Sequence, residues 1–570
     1  MVKKKKKRLK IGKLIVFLLV VFLSIYLLFS IFKLLINKII IKTNDGYISS
    51  TSEIVKIYNL ELEEDIEIIR GTKVVVYEKE IENEDETYKK IKYNGELYLI
   101  NPDNIVFEYK DSVMEEKMYV RTPVTVYESS TSSDIESMAK KGEELNIIGF
   151  DKLNDDGTVN MYQIKKDDLE GYVYSKYLVK TLEESNKNYD EEGNYKTHVS
   201  RTNKLGGGDG GTLDYYPVEK PKFENNEMPA EARTLYLNSG VLGNLDEYIN
   251  LAKNSNINAF VVDIKDNTAP GYASNVMKEL SPTNYERAIN SFDDYKAAIK
   301  KLKDEGFYVI GRITVFKDSY YVTDNPDTAI TSTSTGKPYS HNGSYWPSAY
   351  SREVWEFNVK LAIEAVTEMG FNEIQFDYTR FPDKTKTIEE QGLVDMKNTH
   401  NETKAQAIQG FLMYATDEIH KYNAYVSVDV FGESANSYIT AYGQYWPAIS
   451  NVVDVISAMP YPDHFDTYAY GSTVPVWTKP YELLKAWGKT AQTRQSEIPT
   501  PAIVRTWIQA YNAIKSPYIT YDANKISEQI KGLYDNGLTG GYITWNAKSS
   551  ITKYQEIASA FKKEYNWWKE

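Results

Sequence analysis

A chain of 570 residues exceeds what one hydrophobic core usually organises and predicts several domains. Its 42% apolar and 26% charged residues are those of folded protein, which excludes disorder of the whole chain; the absence of cysteine excludes a disulfide framework, a thiolate nucleophile and any Cys-ligated metal. The net charge of −13 is segregated: Lys3 to Lys7, Arg8, Lys10 and Lys13 put eight positive charges and no acid into the first 13 residues, so the remainder is more acidic than the total suggests. Such a body repels polyanions, which argues against nucleic acid as a partner and for a neutral or cationic ligand.

The basic segment 1–13 is followed by Leu14 to Phe32, nineteen residues without a charge, enough for a helix across about 30 Å of hydrocarbon. A cleaved signal peptide has an apolar core of only about 7–15 residues and a small-residue cleavage site. The pattern therefore predicts a signal anchor over 14–36, with the membrane as a partner. Lys33, Lys38 and Lys42 beyond the span weaken the charge asymmetry but do not reverse it. The expected location is the cell membrane, single-pass, N-terminus cytoplasmic and bulk extracytoplasmic.

From residue 50 to 180, short apolar runs broken by Gly, Asn and Asp predict small antiparallel sheets. Over 116–180, TPVTVYESSTSS, KKGEELNIIGF and the closing GYVYSKYL at Gly171 to Leu178 resemble a bacterial SH3-like domain. A weaker copy is read over 50–112, where Arg70 to Glu80 and Tyr93 to Phe107 take corresponding places. The resemblance implies cell-wall peptide or glycan as a ligand of these modules, or a spacer role, and assigns no binding residue. Residues 181–230 are polar, contain Gly206 to Gly211 and three prolines, and read as a flexible linker. The glycines are not a phosphate loop, since no Lys-Ser/Thr follows and no strand precedes them.

Over 231–566 the pattern becomes eight β-branched or aromatic runs alternating with amphipathic helices: 234–238, 259–265, 308–316, 373–377, 425–431, 453–459, 502–509 and 540–546. This predicts a parallel sheet covered by helices, and eight such units predict a (β/α)8 TIM barrel. The fold class is thus α/β at the C-terminus, preceded by all-β modules and one transmembrane helix.

Period-two alternation sorts the strand side chains. Ile374 and Phe376 belong to the helix side of the fourth strand, which sends Gln375 and Asp377 inward; Val426, Val428 and Val430 do the same for Ser427 and Asp429 on the fifth. By the same rule Asp263 and Lys265, Arg312 and Thr314, and Arg505, Trp507 and Gln509 share inner faces. An unpaired buried charge costs several kcal/mol, so these groups must pair or work. Barrel enzymes hold their chemistry at the C-terminal strand ends, where Asp377, Asp429, Glu433, Asp463 and His464 are expected. Two carboxylates on adjacent strands suit glycosidic cleavage, one protonating the leaving oxygen and the other attacking or activating water. Trp507, Trp545, Tyr378 and Tyr461 suit stacking on sugar rings. The competing reading is a buried ion-pair network of Asp263, Asp377, Arg312 and Lys265 with aromatics that only fill the core.

VVDIKDN (261–267), GRITVFKD (311–318), FNEIQFDYTRFP (371–382), VSVDVFGES (426–434), ISAMPYPDHF (456–465), RTWIQAY (505–511) and GGYITWNA (540–547) together resemble the putative glycosyl hydrolase family of (β/α)8 barrels, in order over 233–550. The chain departs from that family's Arg-Pro-Trp in the seventh strand, having Arg505, Thr506 and Trp507. The resemblance implies a glycoside hydrolase with Asp377 as principal catalytic carboxylate, Asp429 as its partner and Glu433 as an alternative. It also implies Asp263, Arg312, Arg380, Tyr461 and Gln509 as binding groups; Lys265, Tyr378, Asp463, Trp507 and Trp545 complete the expected substrate-binding set. No cofactor is expected, and no metal, because the five histidines are scattered without ligand spacing. The expected function is hydrolysis of a cell-wall or capsular polysaccharide by a membrane-anchored enzyme; the alternative is a catalytically idle glycan-binding barrel that organises the cell envelope.

Overall fold

A computed structural model describes residues 18–30, 42–50, 54–83, 86–112, 115–154, 158–187 and 205–562. Among these residues no helix is long and apolar enough to cross a membrane. The apolar helix near the N-terminus is described over 18–30, which at 1.5 Å per residue gives about 20 Å against the 30 Å a span requires. The expectation of a single-pass membrane protein is corrected accordingly. The flanks of the expected anchor, 1–17 and 31–41, lie outside the described residues.

The chain divides into two compact units, one of Met1–Lys117 with Asn146–Ile164, the other of Met118–Leu145 with Lys165–Glu570. The module expected over 116–180 is therefore shared between them. In the first unit a seven-stranded sheet runs in the order Glu64–Ile69, Ile54–Asn59, Glu96–Ile100, Glu86–Tyr93, Lys73–Asn83, Thr43–Ile48, Ile105–Val106. Alternation places Val55, Ile57, Val74, Val76 and Ile91 on its buried face. This matches the antiparallel sheet expected over 50–112, with a first strand that starts earlier, at Thr43.

In the second unit eight parallel strands form the barrel: β1 (Ala232–Leu237), β2 (Ala259–Lys265), β3 (Tyr308–Thr314), β4 (Glu373–Asp377), β5 (Tyr425–Phe431), β6 (Val455–Met459), β7 in two pieces (Ile503–Val504 and Thr506–Gln509) and β8 (Gly541–Trp545). Each neighbours the next in sequence, and β8 pairs with β1. The first piece of β7 pairs with β6 and the second with β8, so the barrel is nearly closed, and Arg505 between the pieces still donates its N–H to the Ile456 carbonyl at 3.1 Å. Closure needs Gly541: its φ is +104°, and a Cβ there would lie 2.0 Å from the Ala232 carbonyl oxygen. The covering helices include α1 (Leu245–Lys253), α2 (Phe292–Asp304), α3 (Arg352–Glu364), α4 (Lys404–His420), α5 (Trp446–Ser450), α6 (Pro480–Gln495), α7 (Ala523–Tyr534) and α8 (Ile551–Phe561). Their starts follow local chemistry; α4, for example, opens on a capping box in which Thr403 and Gln406 satisfy each other's backbone N–H groups.

The second half of the stretch expected as flexible linker packs on the barrel instead. Tyr215 is fully buried, the Lys220 ammonium donates to the carbonyls of Asn451 and Val453 at 2.8 Å, and the Phe223 ring lies 4.9 Å from Tyr425 at the N-terminal end of the barrel. Residues 188–204 lie outside the described set. Strand Val124–Tyr127 and the turn after it belong to the same unit and dock on α3 and α4. Ile135 N–H donates to Glu356 at 2.7 Å, and Tyr414 donates to the Ser133 carbonyl at 2.7 Å.

Candidate active site

Inside the barrel the alternation read from sequence holds on β3, β4, β5 and β7. Near the N-terminal end Glu373 of β4 pairs with Arg505 of β7 at 2.8 Å, and Tyr308 of β3 donates to the same carboxylate at 3.0 Å. Both charged side chains are fully buried. One layer up, Gln375 donates to Ser457 at 3.3 Å. Above it lies a larger polar cluster centred on Arg312.

The Arg312 guanidinium donates to Asp377 at 2.6 Å and 3.1 Å, to Asp263 at 2.7 Å and to Asp266 at 3.2 Å. Its Nε is also 3.8 Å from Asp429. One cation thus meets four carboxylates at the C-terminal ends of β2 to β5. Tyr236 donates to Asp263, the backbone N–H of Tyr378 donates to Asp377 at 2.6 Å, and the Trp507 indole donates to Asp429 at 2.6 Å.

The acids respond differently to this shared cation. Burial pushes Asp429 well above the ordinary carboxylate range, and the neighbouring charge of Asp377 adds to the shift, outweighing Arg312 and Trp507. Its Oδ2 has no hydrogen-bond partner among the described residues. Burial likewise lifts Asp263 to about 6, although Arg312 pulls it down. For Asp266 burial is outweighed by Arg312 and by hydrogen bonds from Thr268, and the net shift is downward.

A cavity of about 520 Å³ opens at this end of the barrel. Of the sequence-predicted residues, Asp263, Arg312, Asp377, Tyr378, Arg380, Tyr461, Trp507 and Trp545 line it together. The other five do not. Asp429 lies behind its wall, with a side chain fully buried. Glu433, the exposed residue of an otherwise buried turn, lies off the cavity and accepts from Tyr442 at 2.8 Å and Tyr438 at 3.2 Å. Asp463 and Gln509 are buried and bind each other and the loop at Tyr511 and Ile514, so they tie strand ends together.

Lys265 is displaced for a different reason: the pairing of β2 with β3 slips after Asp263, so that Lys265 stands opposite Ile313 on the helix side. This bulge reverses the alternation, and the Lys265 ammonium is sequestered by Asp318 at 2.7 Å and the Thr314 carbonyl at 2.6 Å.

Cavity residues that alternation could have found are Tyr236, two positions beyond the inward Thr234, and Met459, two beyond Ser457. Phe431 ends β5 two positions beyond the inward Asp429 and follows the same rule, whereas Asp266 and His464 come from loops and carry no periodic signal, although His464 is expected at this end from its place after the sixth strand. Tyr236 and Trp545 have ring centres 4.6 Å apart, and Trp507 meets Trp545 edge-on at 5.5 Å; these rings form one wall. Among the described residues no group of three or more His, Asp or Glu is arranged to hold a metal ion.

The chain is similar to solved structures. One is a hypothetical protein from Ruminiclostridium thermocellum ATCC 27405, 31% identical, covering 34% of this chain and 97% of that one with a TM-score of 0.29. Another is the glycoside hydrolase domain of PgaB (BpsB) from Bordetella bronchiseptica, 14% identical, covering 59% and 99%, with a TM-score of 0.42. No curated protein matches. Residues 234–551 match the family described as "Putative glycosyl hydrolase domain", more than half of the chain, from within β1 to beyond β8, and the chain belongs to that family.

Proposed function

We propose that the barrel hydrolyses an O-glycosidic bond of a cell-wall or capsular polysaccharide, with Asp377 as the carboxylate at the reacting centre. The observation that carries this reading is the cavity at the C-terminal mouth, onto which Asp377 opens between aromatic side chains suited to sugar rings. Family membership supports it. Asp377 is held by a charge-assisted pair to Arg312 and by the Tyr378 amide, which fix its direction and leave it to attack the anomeric carbon or to activate water. Asp263 faces the same cavity with its pKa lifted to about 6, and is the carboxyl best placed to share a proton with the leaving oxygen. Asp429 reaches no cavity surface; it acts through Trp507 and Arg312 as a positioning residue.

The second reading, an idle glycan-binding barrel, is favoured by one observation: Arg312 engages every carboxylate that lines the cavity. The two part in one experiment. The full chain is incubated with purified wall and capsular polysaccharides and new reducing ends are counted, with Asp377→Asn in parallel. Cleavage by the natural chain and its loss in the variant are expected. Binding without cleavage across the panel establishes the idle barrel.

A further inference from the structure

Arg380 is the counterpart of Arg312 with the opposite balance of charge. It follows Asp377 by three residues, and Tyr378 between them has a φ of +51°, in the left-handed region. The Arg380 N–H donates to the Tyr378 carbonyl at 2.8 Å, closing a tight turn that returns the chain to the cavity. The guanidinium sits among four rings, with its carbon 4.4 Å from the centre of Phe431, 5.0 Å from Trp346, 5.2 Å from Tyr378 and 5.7 Å from Tyr442. It is 7% exposed and lines the cavity.

Its hydrogen bonding is nearly empty. Nη1 donates to the Phe381 carbonyl at 3.0 Å and lies 3.6 Å from an Asp383 oxygen. Among the described residues Nε and Nη2 have no acceptor, although a guanidinium offers five N–H donors in one plane. Burial lowers the Arg380 pKa, only partly offset by Tyr378, Asp383 and Asp377. Lys317, 4.9 Å above the Tyr378 ring, adds a second positive charge that burial and Arg380 also disfavour. Four rings and one carbonyl leave most of the Arg380 N–H donors for acceptors that the protein does not supply, and an oxyanion with two oxygens matches the fork of a guanidinium best.

We infer that Arg380 forms an anion subsite beside Asp377 and selects sugars that carry an oxyanion, either a uronic-acid carboxylate or a phosphate ester. This rests on reading the barrel as glycan-acting. It assigns the cavity a local positive wall inside an acidic body, so the ligand is acidic at one substituent where bulk charge alone points to a neutral or cationic one.

The test is equilibrium binding to the full chain at fixed ionic strength, followed by tryptophan fluorescence or calorimetry, with D-glucuronate, D-glucose 6-phosphate and D-glucose as probes. At least one acid is expected to bind about tenfold or more tighter than D-glucose, the size of a charge-assisted hydrogen bond, and which acid does so identifies the substituent. Arg380→Gln and Arg380→Met should each erase the preference, with an unchanged melting temperature showing that the fold survives. Equal binding of all three sugars, a preference that persists in both variants, or failure of every probe to bind overturns the inference. Binding needs no turnover, so the two readings fail separately. Acid preference without cleavage of any polysaccharide sinks only the hydrolase, whereas cleavage of neutral glycans without acid preference sinks only the subsite.

Discussion

The barrel interior holds two buried charge clusters that differ in balance. Toward the N-terminal end, one cation meets one anion: Arg505 and Glu373, with Tyr308 on the carboxylate, sealed from solvent. At the mouth, Arg312 meets Asp263, Asp266 and Asp377 directly and lies 3.8 Å from Asp429, beside an open cavity. Removing one acid from the sealed pair leaves a buried cation alone, whereas removing one acid from the mouth still leaves Arg312 with partners. A balanced pair is therefore a stability element, and an acid-rich cluster can lend a carboxylate to chemistry without losing the fold.

The largest expected effect is on rate. Asp377→Asn should lower polysaccharide turnover by roughly 10²–10⁴-fold with little change in melting temperature, because Arg312 keeps Asp263 and Asp266. Parallel turnover and thermal-unfolding measurements check it, and a large stability loss with full activity would erase the distinction between the two clusters. Next comes Glu373→Gln, which leaves Arg505 without its counter-ion. Denaturant unfolding should show a loss of about 3–5 kcal/mol with the binding of sugars retained in whatever fraction stays folded. Tyr308→Phe removes only the third partner of that pair and should cost about 1.5–3 kcal/mol in the same assay.

The smallest effect is one of slope. A carboxyl whose folded pKa is raised lends stability that is present below its unfolded pKa and lost as pH rises through the folded value. Asp429 should therefore make the natural chain progressively less stable as pH climbs above the ordinary carboxylate range. Asp429→Asn keeps an acceptor for Trp507 and should flatten that decline. An unchanged slope of melting temperature against pH would place the titration elsewhere.

The balance of each cluster was not legible before folding. Tyr308, Glu373 and Arg505 come from three different strands, and nothing in their local sequence says that they meet. The same holds for Arg312 and its four acids. Alternation did carry the direction of Asp377, Arg312 and Trp507, because a strand buried on both faces still shows which residues share a side. It failed at Lys265, where one extra residue in β2 turned the side chain to the helices. It could not tell that Asp429, although inward, stands behind the cavity wall while Asp377 opens onto it.

The sequence by itself determined the eight strands, their order and the family, since period, turn chemistry and strand-end residues are local properties written along the chain. It also predicted a membrane span that the described helix does not provide, because nineteen apolar residues set a hydropathy and not a helix length. Tertiary structure alone decided which carboxylates face solvent, which cation serves them, that residues 205–230 cover the barrel instead of linking to it, and that Arg380 stands nearly without partners. Those are matters of distance between strands and loops, and distance is fixed only when the barrel closes.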